Sequence, residues 1–170
     1  MGRSALSDAQ ADAIRRAASR ADVSAAMGRL YQDLDAEISA RQPVCRNRGA
    51  CCRFDEYGHS LFVTSLEAAY FLASHPAAAD TGSPGYPAPP HQPPSWAPPS
   101  GCPFQVNGLC TTRAGRPVGC RIFFCDPGSQ HWQGPMSEVF LERLRRLHEE
   151  LDVPYVYAEW RAVLQAVRPA

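Results

Sequence analysis

Two separated clusters of cysteines constrain this chain more than any other feature. The 170-residue sequence holds seven of them: Cys45, Cys51, Cys52, Cys102, Cys110, Cys120 and Cys125. An odd number cannot pair completely into disulfides, and the adjacent Cys51 and Cys52 have little freedom to form two separate bridges. Thiolate ligation of a metal is therefore the first hypothesis. If the clusters meet in space, the metal would join the region after the N-terminal helix to the region before the C-terminal helices.

The charge balance argues against two classes of partner. Seventeen basic residues match seventeen acidic ones, so no overall field would attract the chain to nucleic acid or to an anionic membrane surface. Charged residues and prolines interrupt every apolar run before the ~18 residues of a membrane span, and the first residues do not resemble a secretory signal. We therefore expect a cytoplasmic protein with reduced thiols and no nucleic-acid or membrane partner.

Two capping boxes predict where helices start. In residues 7–10 and 64–67, a hydroxyl side chain and a glutamine or glutamate stand at the spacing that satisfies first-turn backbone N–H groups. The second box opens a helix over residues 68–74, after a short strand at residues 61–63. The first begins an N-terminal helical region, residues 5–42, where a helix ending near Gln42-Pro43 carries one apolar face: Val23, Met27, Leu30, Leu34 and Ile38.

Two further helices are predicted to close the chain within residues 135–168, and Pro154 separates them. Their apolar faces comprise Phe140, Leu144, Leu147 and Leu151, then Val156, Trp160, Val163, Leu164 and Val167. The length suits one domain. The predicted fold is mainly α, a single metal-stapled domain with one or two short strands and an irregular cysteine-rich centre at residues 43–128.

A proline-rich insertion, residues 76–101, interrupts the cysteine-cluster region. Residues 76–103 hold ten of the sixteen prolines, which excludes regular helix or central strand and predicts an extended, polyproline-like loop. Such a run is either a spacer over the surface, with Trp96 as the residue that holds it in place, or a segment that recruits a partner protein.

The cysteine spacing differs from that of two common metal-binding motifs. Soft thiolates suit zinc, iron-sulfur clusters or copper(I). The sequence lacks the C-x2-C pair of zinc ribbons and the C-x2-C-x2-C run of bacterial ferredoxins. It has C-x5-C-C, followed by C-x7-C, C-x9-C and C-x4-C.

The order of these motifs resembles the YkgJ-like cysteine-cluster family, whose domains are described as zinc- or iron-chelating. The similar segments span roughly residues 40–165: Cys45–Cys52, Phe62-Val63-Thr64 with Glu67, Cys102-Pro103-Phe104, Gly108 with Cys110, Arg116-Pro117, Cys120–Cys125, and Pro154-Tyr155 with Trp160. Arg48 stands where the family pattern places a cysteine. The resemblance implies a bound iron-sulfur cluster, of the 4Fe-4S type, or Zn²⁺. Seven sulfurs exceed what one zinc needs, which favours the cluster.

The core ligands expected are Cys52, Cys102, Cys120 and Cys125. Cys45, Cys51 and Cys110 are expected either to complete the ligand set or to protect the site. Arg48, Arg53 and Arg121 flank these cysteines, where positive charge would lower thiol pKa values, although each could instead pair with a surface carboxylate. His59, His131 and Asp126 are weaker ligand candidates, and Asp126-Pro127-Gly128 is better interpreted as a turn.

Two alternatives to a metal- or cluster-binding protein stay open at this stage. One is a small iron-sulfur enzyme or electron carrier, in which the cluster has an open iron position or changes redox state. The other is a structural zinc module that presents the proline-rich loop to a protein partner. The sequence names no reaction and no catalytic residue.

Overall fold

The computed structural model describes residues 6–45, 49–75, 101–106 and 109–168. The proline-rich insertion with Trp96, the position of Arg48 and the turn sequence Asn107-Gly108 lie outside these ranges. Within them, the predicted mainly α class is confirmed. No helix in the described ranges combines the length and apolar character needed to cross a bilayer.

Helices make up most of the described chain, and short strands and 3-10 turns join them. The helices are α1 Asp8–Ala18, α2 Ala21–Ala40, α3 Phe54–Tyr57, α4 Ser65–Ser74, α5 Val118–Ile122, α6 Gln130–Glu150 and α7 Trp160–Ala166. The strands are β1 Phe62–Thr64, β2 Gln105–Val106, β3 Leu109–Cys110 and β4 Tyr157–Glu159. The 3-10 turns are Ala50–Cys52, Arg113–Gly115 and Pro127–Ser129. Strand β1 pairs antiparallel with β4, and β2 with β3.

Both capping boxes form as predicted. The Ser7 hydroxyl accepts from the Gln10 backbone N–H, and the Gln10 amide oxygen accepts from the Ser7 N–H at 2.9 Å. Thr64 and Glu67 make the same reciprocal pair. Helix α4 therefore starts at Ser65, so the predicted start at residue 68 was one turn late.

The apolar stripe of α2 is buried at every predicted position, from Val23 to Ile38. Helix α1 packs against α4, and α2 packs against α4 and α5. Buried side chains from these helices, α6 and α7 form one apolar cluster. This cluster supports the loops that carry the cysteines.

The C-terminal region differs from the prediction at two points. Helix α6 begins at Gln130 and contains Pro135, which was expected at the boundary. Residues 157–159 form β4, although the pattern predicted helix from Val156 onward, because β1 offers them a paired edge with Thr64 opposite Tyr157. Helix α7 begins only at Trp160, where the Glu159 carboxylate accepts from the Ala162 N–H at 3.1 Å.

Candidate metal centre

All seven cysteines line one cavity of about 90 Å³. The two clusters, separated by about fifty residues in sequence, therefore meet in the folded chain. A single water needs roughly 10–15 Å³ of such space, so the cavity has room for several atoms beyond the protein. Its apolar wall includes Phe71, Phe104 and Trp160. The Phe71 ring centroid lies 4.8 Å from that of Phe104 and 4.8 Å from that of Trp160.

Close contact between two backbone segments brings the clusters together. The Cys102 N–H donates to the Cys52 carbonyl oxygen at 2.7 Å. Residue 101 must be glycine for this approach, because a Cβ there would stand 2.4 Å from the same oxygen. The Gln105 side-chain amide adds a second link, donating to the Gly49 carbonyl at 2.8 Å. Gly49 itself has a left-handed backbone, with φ of 66°, that turns the chain into the Ala50–Cys52 segment.

Cys52 lies at the centre of the sulfur contacts and is only 5% exposed. Its sulfur is 3.9 Å from that of Cys51, and its thiol also interacts with Cys102 and Cys110. The hydrogen bonds to Cys102, Cys110 and Cys51 raise the pKa of Cys52, so this residue keeps its proton. These four thiols form what we call the sulfur centre: Cys51, Cys52, Cys102 and Cys110.

The other members of the sulfur centre ionise more readily. The hydrogen bond from Cys52 lowers the pKa of Cys51 to about 6 and that of Cys110 to about 5, and the Arg116 charge acts in the same direction. A further hydrogen bond from Cys52 lowers the pKa of Cys102, whose thiol also interacts with Trp160. At pH 7 the lowered pKa values of Cys51 and Cys110 favour their thiolate form, which is the nucleophilic and metal-ligating form of cysteine.

The remaining three cysteines surround this centre. Cys120 projects from α5, and burial, followed by the nearby charge of Cys102, raises the pKa of its thiol. Cys45 and Cys125 are exposed. The expected core set included Cys120 and Cys125, whereas the structure places Cys51 and Cys110 at the centre and Cys125 at the cavity's exposed margin.

The arginines beside the cavity differ from those expected. Arg53 pairs with Glu56 at 2.8 Å and is absent from the described lining. Arg121 is buried and turns away toward α2, where it donates to Asp35 at 2.7 Å and lies 4.0 Å from the Tyr31 ring. The arginines among the described lining residues are Arg113 and Arg116, and the charge of Arg116 acts on Cys51 and Cys110.

Arg113 and Arg116 were not among the arginines expected beside the cysteines, although Arg116 belongs to the motif Arg116-Pro117. Their place on the cavity depends on how the 3-10 turn Arg113–Gly115 packs, which local spacing does not indicate. Arg121 positions both of them. It donates to the Arg116 carbonyl at 2.8 Å and to the Ala114 carbonyl, and so braces the 3-10 turn between them. The guanidinium of Arg116 donates weakly to the Cys120 carbonyl at 3.4 Å.

The histidine candidates are not among the described lining residues of the cavity. His59 Nε2 is 3.4 Å from the Cys51 carbonyl oxygen, and its ring contacts those of Phe54 and Phe123. His131 is exposed on α6. Asp126 forms the predicted turn, in which its carbonyl accepts from the Ser129 N–H at 2.9 Å.

Glu67 anchors the helix that carries Cys120. Its carboxylate is 1% exposed, and one oxygen accepts from the Thr64 N–H at 2.7 Å as the capping box requires. The other oxygen accepts from the Val118 N–H at 2.8 Å, at the start of α5. The capping motif predicted the first bond, but nothing in the sequence pointed to the second.

Across the described ranges, no group of three or more His, Cys, Asp or Glu side chains is already arranged to hold a metal ion. The comparisons with known proteins add no family. No family model matches the chain, and no curated protein or solved structure shows significant similarity. The YkgJ-like resemblance thus remains a prediction from the motifs.

Proposed function

We propose that this protein binds a metal through the sulfur centre, as an iron-sulfur cluster or as Zn²⁺. The single observation that carries the proposal is the convergence of all seven cysteines on one cavity. Chance burial of small apolar residues would not gather the thiols of two clusters, about fifty residues apart in sequence, around one space.

The donor set fits a thiophilic metal. Tetrahedral zinc with Zn–S bonds of about 2.3 Å has sulfurs about 3.8 Å apart. Cys51 and Cys52 already have their sulfurs 3.9 Å apart. Cys102 and Cys110, which also interact with Cys52, would supply the other two bonds, and Cys120 is a further thiol on the same cavity. Because the family resemblance and the seven sulfurs favour it, we place an iron-sulfur cluster first and zinc second.

The surrounding residues would favour the thiolate form of the cysteines. Arg116 lowers the pKa of Cys51 and Cys110 by its charge and would offset the negative charge of several thiolates, and Arg113 lines the same cavity. Cys52, whose pKa is raised, must release its proton to bind a metal, so metal uptake would release protons. When bound, either group supplies a strong link between the two cysteine segments, and an iron-sulfur cluster would also accept and donate electrons.

Anaerobic purification with iron, zinc and acid-labile sulfide analysis tests the proposal. We expect iron with sulfide and a visible absorption band that dithionite bleaches, or one zinc and no band. In Cys52→Ser, metal content should fall at least tenfold, whereas His131→Ala should retain it. Native protein that contains neither metal nor sulfide, and takes up neither iron nor zinc, would refute metal binding.

A further inference from the structure

The seven cysteines of the cavity differ in their access to solvent. Cys45 and Cys125 are exposed, whereas Cys52 is buried and the other four are partly buried. All seven nevertheless line the same space. The cavity thus joins two thiols that face solvent to the buried thiol that has the most sulfur contacts.

The other lining residues divide in the same way into an exposed group and a buried group. Leu109 and Phe123 are 54% and 47% exposed, and Arg113 is exposed as well. Together with Cys45 and Cys125, these residues form what we call the cavity mouth. The buried lining residues include Cys52, Phe54, Phe71, Phe104 and Trp160. A metal ion that enters from solvent therefore meets Cys45 and Cys125 before it meets Cys52.

The charges around the cavity favour one form of incoming metal. No carboxylate belongs to the described lining. Arg113 lies at the mouth, and the charge of Arg116 acts on Cys51 and Cys110. Positive charge repels a hydrated cation and attracts an anionic complex. A metal ion that arrives already bound by thiolates, as a complex with net negative charge, suits this cavity better than the hydrated ion.

We propose that Cys45 and Cys125 are entry thiols, which take the metal ion from an anionic thiolate complex and pass it inward to the sulfur centre. This role rests on the proposed metal binding. In the first step, the sulfur of Cys45 or Cys125 binds the ion, and one thiolate of the incoming complex leaves. The leaving thiolate takes up the proton that the entry thiol releases. The thiols of the sulfur centre then replace the remaining thiolates in the same way, and no electrons are transferred.

Stepwise exchange avoids a state in which the metal ion has lost its ligands. Each new sulfur bond forms as an old one breaks, so the ion does not pass the apolar residues of the mouth as a bare charge, which would be costly. The entry thiols lie on the same cavity as the sulfur centre, so the later exchanges occur within one molecule. Because the entry thiols are absent from the final ligand set, they speed transfer in both directions and leave the equilibrium unchanged.

Zinc uptake by the reduced, metal-free protein tests the proposal, with Zn²⁺ supplied as its complex with excess glutathione. Zinc is the probe because four thiolates hold it in tetrahedral geometry. In Cys45→Ser/Cys125→Ser, we expect the uptake rate constant to fall about tenfold or more. The rate at which bound zinc exchanges with isotopically labelled zinc in the same complex should fall by the same factor. The zinc content at equilibrium should match that of the native protein.

Val44→Ser is the matched control, since it changes an exposed apolar residue next to Cys45 that is absent from the described lining. It should leave both rates unchanged. Because Cys45 and Cys125 are exposed and serine has a similar shape, the double variant should keep its fold. Each single variant should show part of the loss in rate.

Three results would overturn the entry role. A lower zinc content in the double variant would make Cys45 and Cys125 ligands of the bound metal. Unchanged rates in the double variant would remove the entry role and leave the proposed metal binding intact. Native protein that takes up no zinc would also overturn the entry role, and metal binding itself would fail only if iron were absent as well.

Discussion

Gly101→Ala tests whether the close approach of the two cysteine segments holds the sulfur centre together. The added Cβ would stand 2.4 Å from the Cys52 carbonyl oxygen and 3.4 Å from the Arg53 Cα. Both neighbours are backbone atoms, so the segments must separate. Separation would also break the 2.7 Å bond from the Cys102 N–H to the same carbonyl. One methyl group thus acts on both segments of the candidate site.

The expected cost follows from three effects. Overpacking costs about 1–3 kcal/mol, and a lost backbone hydrogen bond costs about 0.5–1.5 kcal/mol. Lower entropy of the unfolded alanine chain offsets about 0.4–1 kcal/mol. We therefore expect the free energy of unfolding to fall by about 2 kcal/mol, and the bound metal to fall in parallel because Cys102 moves away from Cys52.

Urea unfolding and metal analysis of purified protein measure both effects. Gly28→Ala is the matched control, since a Cβ there meets nothing within 4 Å on α2. It should raise the free energy of unfolding by about 0.5–1 kcal/mol through helix propensity. If Gly101→Ala behaves like Gly28→Ala and keeps its metal, the reasoning about the close approach is wrong.

Three further predictions concern buried polar groups. Burial raises the pKa of Glu67, so native protein should lose stability as pH rises from about 4.5 through that raised pKa, and Glu67→Gln should flatten the slope in urea unfolding. Burial lowers the pKa of His148, so the free energy of unfolding should fall as pH drops below 6.5 toward that lowered pKa. His148→Leu should remove this loss of stability. Equal losses in both proteins would contradict the prediction. Arg121→Met should cost about 2–4 kcal/mol by urea unfolding, whereas Arg143→Met, at an exposed pair, should cost at most about 1 kcal/mol; equal costs would count against the bracing role.

Local patterns predicted much of the helical framework. The capping boxes at Ser7 and Thr64 and the apolar stripe of α2 are confirmed because hydroxyl caps and the 3.6-residue period act within one or two helical turns. The cysteine clusters predicted a metal site, which stays a prediction, and the structure brings their seven thiols to one cavity. The end of the chain was harder, because β4 depends on an edge that β1 provides from about ninety residues away.

The sequence by itself determined which side chains are available to the candidate centre: seven thiols, many arginines and a glycine beside Cys102. Only the tertiary structure decided that all seven thiols share one cavity, that Cys52 is their centre, and that Arg113 and Arg116, in place of Arg53 and Arg121, line its wall. The physical reason is the sequence separation of the residues whose contacts set the geometry. Ligand type is a property of single residues, whereas the distances between sulfurs depend on contacts such as Cys102 to Cys52 and Val118 to Glu67, which join residues about fifty positions apart.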